Sequence, residues 1–274
     1  MSVADRILKQ CLGIPGFLQL WRRLELGSVP TRARHGAWSR PHYAYGVFSA
    51  AELAKRLGLS SISVIELGVA GGSGLLALEQ ISKAVGDHFA IDVRVYGFDA
   101  GSGMPAPIDY RDLAHVWGEG FYKMDEAKLR ARLSRAELFI GDVSKTIPQF
   151  VAGGHPPIGF VAFDLDYYSS TKTAFKLFEG ETKTRLPRVY SYMDDVIWPE
   201  YACHNEYVGE LLAIKEFNSE HDTLKLTPLH LLRHMRSQYR AWNDQIYVLH
   251  DFAHPLYTKN ITHQGEEFRE MRLR

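Results

Sequence analysis

The sequence predicts an α/β fold, a Rossmann-like, mostly parallel sheet with helices on both faces. Three observations carry that expectation. Short apolar runs that end in Gly or Asp alternate with longer amphipathic stretches, the pattern of parallel strands joined by right-handed helical crossovers. Val64-Ile-Glu-Leu-Gly-Val-Ala-Gly-Gly-Ser-Gly-Leu-Leu76 runs from a strand through four glycines into a helix, and a turn of that kind aims free N–H groups at a ligand. The length of 274 residues and the 46% hydrophobic content suit one such domain with additions.

Taken in order, residues 3–26 read as two short helices broken at Gly13-Ile-Pro-Gly16, and Arg32 to Pro41 as a polar, basic connection. A helix over Ser49–Leu57 leads into the first strand and the glycine turn, and a second helix starts at Ser73. Strands follow near 93–98, 137–141, 159–164 and 188–193, with helices near 124–133, 168–178 and 204–218. The chain divides into an N-terminal helical extension, 1–60, and one sheet-bearing domain, 61–274, without internal repeats or low-complexity segments.

Two cofactor classes use a strand–glycine–helix turn. Gly72-Ser-Gly-Leu-Leu-Ala77 satisfies the loose dinucleotide fingerprint of nicotinamide and flavin enzymes. That match leaves Glu66 unexplained, together with the longer pattern Glu66-x-Gly68-x-x-x-Gly72-x-Gly74. The longer pattern resembles the first motif of the class I S-adenosylmethionine-dependent methyltransferases. The resemblance implies that the turn of Gly68, Gly72, Ser73 and Gly74 passes the methionine end of the cofactor, and that Glu66 steadies the loop and the ammonium side. Val93-Arg-Val-Tyr-Gly-Phe-Asp99 ends in a carboxylate able to take both hydroxyls of a ribose, with Ala100 beside it; a nicotinamide site would use the same acid. Ala136-Glu-Leu-Phe-Ile-Gly-Asp-Val143 ends likewise. There the resemblance implies Asp142 and Val143 at the adenine, while a cap on the helix that follows is the local alternative for Asp142.

Further along, Phe160-Val-Ala-Phe-Asp-Leu-Asp-Tyr-Tyr-Ser-Ser-Thr171 and Val189-Tyr-Ser-Tyr-Met-Asp-Asp-Val196 are strands that end in acids, which a doubly wound sheet delivers to its carboxyl edge. Asp164, Asp194 and Asp195 would there present three hard oxygen ligands to Mg²⁺, with positions open for water and substrate oxygens. The plainer reading makes Asp166 and Ser169 helix caps and Asp194-Asp195 a solvated loop. Asp164-x-Asp-x-Tyr-Ser-Ser-Thr171, the later acidic pair and Gly97-Phe-Asp-Ala-Gly-Ser-Gly-Met-Pro105 together resemble the metal-dependent macrolide-sugar O-methyltransferases, the macrocin and mycinamicin family. Catechol O-methyltransferase is more distantly similar.

This resemblance covers roughly Ser63 to Val196 and implies that Asp164, Asp194 and Asp195 hold magnesium while Asp166 does not. It also implies a seven-stranded methyltransferase sheet, closed by an antiparallel hairpin of Leu224–Leu232 and Gln245–Phe252. There are departures. Ala100-Gly-Ser-Gly-Met-Pro105 replaces the family's bulkier Ser-Phe-Glu-Gly-Leu-Pro, and Tyr167 stands where catechol enzymes carry a basic lysine. The sugar-modifying enzymes use a histidine between the second and third strands, which implies His115 as the general base. Trp117, Phe121 and Tyr122 around it suggest a water-excluding lid.

Whole-chain properties narrow the partners. Lys plus Arg and Asp plus Glu number 32 each, so there is no basic excess of the kind a nucleic-acid surface needs. His230 to Arg240 is the one basic cluster, read as a solvated connection, with an anionic-substrate contact as the alternative. Cys11 and Cys203 are too few for a disulfide framework, and no apolar run spans a membrane. Asp5, Arg6 and Lys9 interrupt any signal-peptide core, which predicts a cytoplasmic protein in which the Asn260-Ile-Thr262 sequon goes unused. The sequence thus points to an S-adenosylmethionine- and Mg²⁺-dependent O-methyltransferase acting on a small hydroxylated molecule such as a sugar, a phenol or a natural product. It predicts no nucleic-acid or membrane partner and is compatible with a homo-oligomer. One rival is an NAD(P)-dependent oxidoreductase, in which the three acids would have no task; the other is a non-catalytic binding protein of the same fold.

Overall fold

Apolar runs buried on both faces make strands that only a two-sided sheet can accommodate. In the computed structural model, which describes residues 3–235 and 240–262, β1 (Ser61–Leu67) and β4 (Ile158–Phe163) are such runs, buried almost throughout. They pair in parallel with each other, and β2 (Asp92–Asp99), β3 (Glu137–Ile140) and β5 (Arg185–Met193) extend the parallel sheet on either side. β7 (Ile246–Asp251) inserts antiparallel between β5 and β6 (Leu224–Pro228). The order is β3-β2-β1-β4-β5-β7-β6. It reverses direction between β1 and β4, the place where open α/β sheets bind ligands, at the carboxyl ends of the strands. The seven-stranded sheet expected from the resemblance is present, and its antiparallel insertion departs from the dinucleotide-binding order 3-2-1-4-5-6.

Both faces are covered. α4 (Pro41–Leu57) and α5 (Ser73–Phe89) pack on one side, where Tyr43, Val47, Ala50, Leu75, Leu78 and Ile81 join Ile62, Val64 and Phe160 in one core. α7 (Val143–Ala152), α8 (Tyr168–Ala174) and α9 (Gly209–Glu220) cover the other with Phe150, Phe175 and Phe217. The short α6 (Glu126–Arg130) precedes β3, and its Leu129 closes over the glycine turn. Each fully buried aliphatic or phenyl side chain in these layers stabilises the fold by about 1.5–3 kcal/mol.

The N-terminal segment differs from expectation. α1 (Val3–Gln10) and α2 (Phe17–Leu24) flank the predicted break, but the polar connection of Arg32 to Pro41 is helical at its two ends and irregular only over 36–40. It begins in α3 (Val29–His35), which has Pro30 in its first turn and Gly36 in a left-handed C-cap. Its basic residue is packed rather than solvated: the Arg32 guanidinium lies 3.7 Å over the Trp38 ring. α4 then starts at Pro41, eight residues earlier than the predicted Ser49. Other boundaries shift less. The helix expected over 168–178 ends its last turn as 3₁₀ (Phe175–Phe178), and the one expected from 204 starts at Gly209. Of the basic cluster, Arg233 pairs with Asp244 at 3.0 Å, and residues 236–239 lie outside the described residues. Among the described residues no helix is long and apolar enough to cross a membrane.

Candidate active site

At the switch point the strand ends open on a cavity of about 700 Å³, within the usual range for a small-molecule site. One half is walled by Glu66, Gly68, Ser73, Gly74, Asp99, Ala100, Asp142 and Val143, and the other by Asp164, Asp166, Asp194 and Asp195. Trp117, Tyr122, Trp198 and Tyr201 form the rim. The structure therefore gathers every sequence-derived site residue except Gly72 and His115. Gly72 is the N-cap of α5 and turns toward Leu129. His115 is exposed and outside the lining, and among the described residues no histidine lines this cavity.

Two of the glycines are also demanded by the protein's own packing. Gly68 has φ +84°, and a Cβ there would stand 1.8 Å from the carbonyl oxygen of Asp164, because β1 and β4 run side by side to their ends. A Cβ on Gly74 would meet Glu66 Oε1 at 1.8 Å. Both glycines make room for the protein's own atoms: Gly68 lets the turn lie against the end of β4, and Gly74 lets α5 lie against Glu66 of β1. The signal for this was the spacing itself, but which neighbour filled each gap needed the tertiary structure.

Glu66 sits on the buried side of the turn. Tyr43 of α4 donates to its Oε1 at 2.6 Å, and Oε2 is buried with no partner. Burial pushes this carboxyl up to about 7, against the opposing pull of the Tyr43 hydrogen bond and the Arg40 charge. Glu66 lines the cavity, and a carboxyl oxygen without a partner is an acceptor for a cationic donor.

Asp99, expected at a ribose, is engaged with the protein's own backbone. Its Oδ2 accepts the backbone N–H groups of Val69 (2.9 Å) and Ala70 (2.8 Å), and its Oδ1 accepts that of Gly101 (2.6 Å). Three of roughly four lone-pair positions on a carboxylate are thereby used, leaving capacity for one further donor. Asp142 is the helix cap that was its local alternative. It caps α7 by accepting from Ser144 N at 2.7 Å and also lines the cavity, and the hydrogen bonds from Ser144 hold its carboxyl below the usual range.

In the acidic half, one carboxylate oxygen each from Asp164, Asp194 and Asp195 lies within 4.8 Å of the others. Opposite ligands around a hard divalent ion stand about 4–5 Å apart, so the donor set fits such an ion in both chemistry and spread. The surroundings reinforce this. Asp166 and Glu210 are buried beside the three, and among the described residues Arg40 is the sole cationic side chain in the cavity lining. Desolvation, then the neighbouring carboxylates, raises Asp164, Asp195 and Glu210 well above the ordinary carboxyl range, a cluster that calls for positive charge.

The acids are held firmly. Asp195 Oδ2 accepts the Asp166 N–H at 3.0 Å, Glu210 Oε2 accepts the Asp195 N–H at 3.2 Å, and Gln245 Nε2 donates to the Asp194 carbonyl at 2.7 Å. The Tyr192 hydroxyl donates to Asp194 Oδ1. Behind it His42 stacks on Tyr192 at 4.2 Å, and burial holds its imidazole down to about 3, hence neutral. Sequence reasoning missed Arg40, Tyr43, His42, Tyr192 and Glu210. Arg40 belongs to the segment read as a connection, His42 and Tyr43 lie between that segment and the expected helix at Ser49, and Tyr192 and Glu210 carry no motif of their own.

No protein-family model matches this chain, and no curated protein matches it. Among solved structures, it resembles CalS11, a calicheamicin methyltransferase, with 17% identity, 90% of each chain covered and a TM-score of 0.51. TomG from Streptomyces achromogenes, an O-methyltransferase involved in tomaymycin synthesis, matches at 15% identity over 91% of this chain and 98% of its own, with a TM-score of 0.40. MycE, a methyltransferase of the mycinamycin pathway, matches at 14% identity over 91% of this chain and 63% of its own, with a TM-score of 0.38. At these identities the likeness is one of fold, and the fold is that of the class I methyltransferases.

Proposed function

We propose that this chain is an S-adenosylmethionine-dependent O-methyltransferase that uses a divalent cation, Mg²⁺ in the simplest case, to hold the hydroxyl of a small-molecule acceptor. The observation that carries the reading is the joining of two half-sites in one cavity: a glycine turn with Glu66, Asp99 and Asp142, and three carboxylate oxygens within 4.8 Å. Fold alone would not license it, since the same architecture hosts many activities. The CalS11 likeness adds only that a calicheamicin methyltransferase is built on this fold.

In this reading the free Glu66 Oε2 accepts the cofactor's ammonium, Asp99 uses its remaining capacity on a ribose hydroxyl, and Asp142 takes the adenine amino group with Val143 alongside. Asp164, Asp194 and Asp195 hold the ion. When bound, S-adenosylmethionine supplies the methyl group that the acceptor oxygen takes, leaving S-adenosylhomocysteine and a proton, and the ion supplies charge that lowers the hydroxyl pKa. The acids fix the geometry, because their backbones are tied to one another and to α9, so the acceptor is held in line before reaction. Trp198 and Tyr201, 70% and 71% exposed at the rim beside Trp117 and Tyr122, offer flat faces to a ring-bearing acceptor and shield the site from water.

Calorimetric titration separates this reading from its rivals. S-adenosylhomocysteine should bind with a dissociation constant in the range of roughly 1–100 μM, or about −8 to −5.5 kcal/mol, whereas NAD⁺ should give no saturable heat. Saturable NAD⁺ binding without S-adenosylhomocysteine binding would replace the methyltransferase reading with the oxidoreductase one.

A further inference from the structure

Arg40 is the only cationic side chain among the described residues lining the cavity. It lies just before α4, half-exposed, at the cofactor end. Its Nη2 donates to Ser73 Oγ at 2.9 Å in the first turn of α5, and its guanidinium stands 5.5 Å from the ring of Tyr43, the residue that holds Glu66. No ion pair among the described residues includes Arg40. A guanidinium carries five N–H donors in a planar fork that matches a carboxylate, so Ser73 leaves most of its capacity uncommitted.

The setting is specific. Arg40 lies close enough to Glu66 and Asp164 that its charge offsets part of their burial penalty. Glu66 in turn keeps Oε2 buried without a partner. One free acidic oxygen and one uncommitted guanidinium thus flank the glycine turn, and the α5 N-terminus adds positive potential on the same side as Ser73. That arrangement complements a zwitterion, with its ammonium on Glu66 and its carboxylate on Arg40.

We propose that Arg40 binds the α-carboxylate of the cofactor's amino-acid end, pairing with Nη donors beside Ser73. This rests on the S-adenosylmethionine reading above and gives the N-terminal segment a direct part in the site. Removing a charge-assisted bond of this kind weakens binding by about 10–100-fold.

The test is calorimetry with three ligands: S-adenosylhomocysteine, its decarboxylated analogue, which keeps the ammonium, and 5′-methylthioadenosine, which lacks both groups. The wild-type protein should prefer S-adenosylhomocysteine over the decarboxylated analogue by about 10–100-fold. Arg40→Ala should lose that preference, with affinity for the other two ligands undiminished, which also reports that the site is intact. Arg40→Lys, which keeps the charge without the fork, should recover part of the preference. Equal weakening of all three ligands by Arg40→Ala would mean that Arg40 only braces the turn through Ser73, and an unchanged S-adenosylhomocysteine affinity would remove it from the site; either result overturns the proposal. If the wild-type protein binds none of the three, the cofactor reading itself fails, an outcome distinct from both.

Discussion

Asp164→Asn is expected to raise the melting temperature of the metal-free protein while abolishing the stabilisation that Mg²⁺ or Mn²⁺ gives the wild type. Asp164 stands with Asp166, Asp194, Asp195 and Glu210 in a cluster where desolvation and mutual repulsion both disfavour ionisation. Neutralising one member without changing its volume relieves repulsion of roughly 1–2 kcal/mol in the absence of a cation. In the wild type an ion at about 100 times its dissociation constant should stabilise by ~2.7 kcal/mol. That corresponds to about 5–10 °C at roughly 2–4 °C per kcal/mol for a domain of this size. Asp164→Asn should show less than a third of that shift and keep its S-adenosylhomocysteine affinity, since its backbone contact with Gly68 is untouched. Thermal melts with and without the ion read both effects. A variant less stable than wild type without metal, yet equally stabilised by it, would show that the cluster is a structural network and not an ion site.

Gly68→Ala should be among the most destabilising single changes in the chain, at about 2–5 kcal/mol. Two penalties add: roughly 1–2 kcal/mol for a Cβ in the left-handed region, and about 1–3 kcal/mol or more for overpacking against a backbone oxygen that cannot rotate away. The clash is with the Asp164 carbonyl, so the substitution should also spread the two half-sites and remove both cofactor and ion binding. Gly71 is the internal control. A Cβ there meets nothing within 4 Å, and Gly71→Ala should change stability by no more than about 0.5 kcal/mol. Urea denaturation of the two variants measures the contrast, and equal midpoints would show that the turn relaxes independently of β4.

The sheet was legible because its strands are short apolar runs ending in Gly or Asp, and periodicity of that kind survives without tertiary information. The acids were legible for the same reason: topology sends strand ends to one edge, so Asp99, Asp142, Asp164, Asp194 and Asp195 had to meet there. The first turn of α4 was not. Its start, Arg40-Pro-His-Tyr-Ala, reads as polar and broken by proline, yet Pro41 at a helix start is favourable, and Tyr43 is buried and His42 half-buried where they pack on Tyr192 of β5. His115 shows the other side of this limit: it is exposed and lies outside the cavity lining. A loop histidine has no periodicity to aim it, and the pairing of Met104 with Phe121 and Gly120 brings Trp117 and Tyr122, not His115, over the cavity. Asp99 shows a subtler gap. Its position was readable, but its three backbone bonds to Val69, Ala70 and Gly101 depend on a turn whose shape the sequence does not display.

A crystal structure of the protein grown with S-adenosylhomocysteine and Mn²⁺, with anomalous diffraction collected for manganese, tests the central claim most directly. The account predicts one manganese peak bonded to oxygens of Asp164, Asp194 and Asp195, with the thioether sulfur of the ligand in the same cavity and its adenosine reaching Asp99 and Asp142. Manganese elsewhere, or the ligand seated with its sulfur away from the three acids, would contradict it.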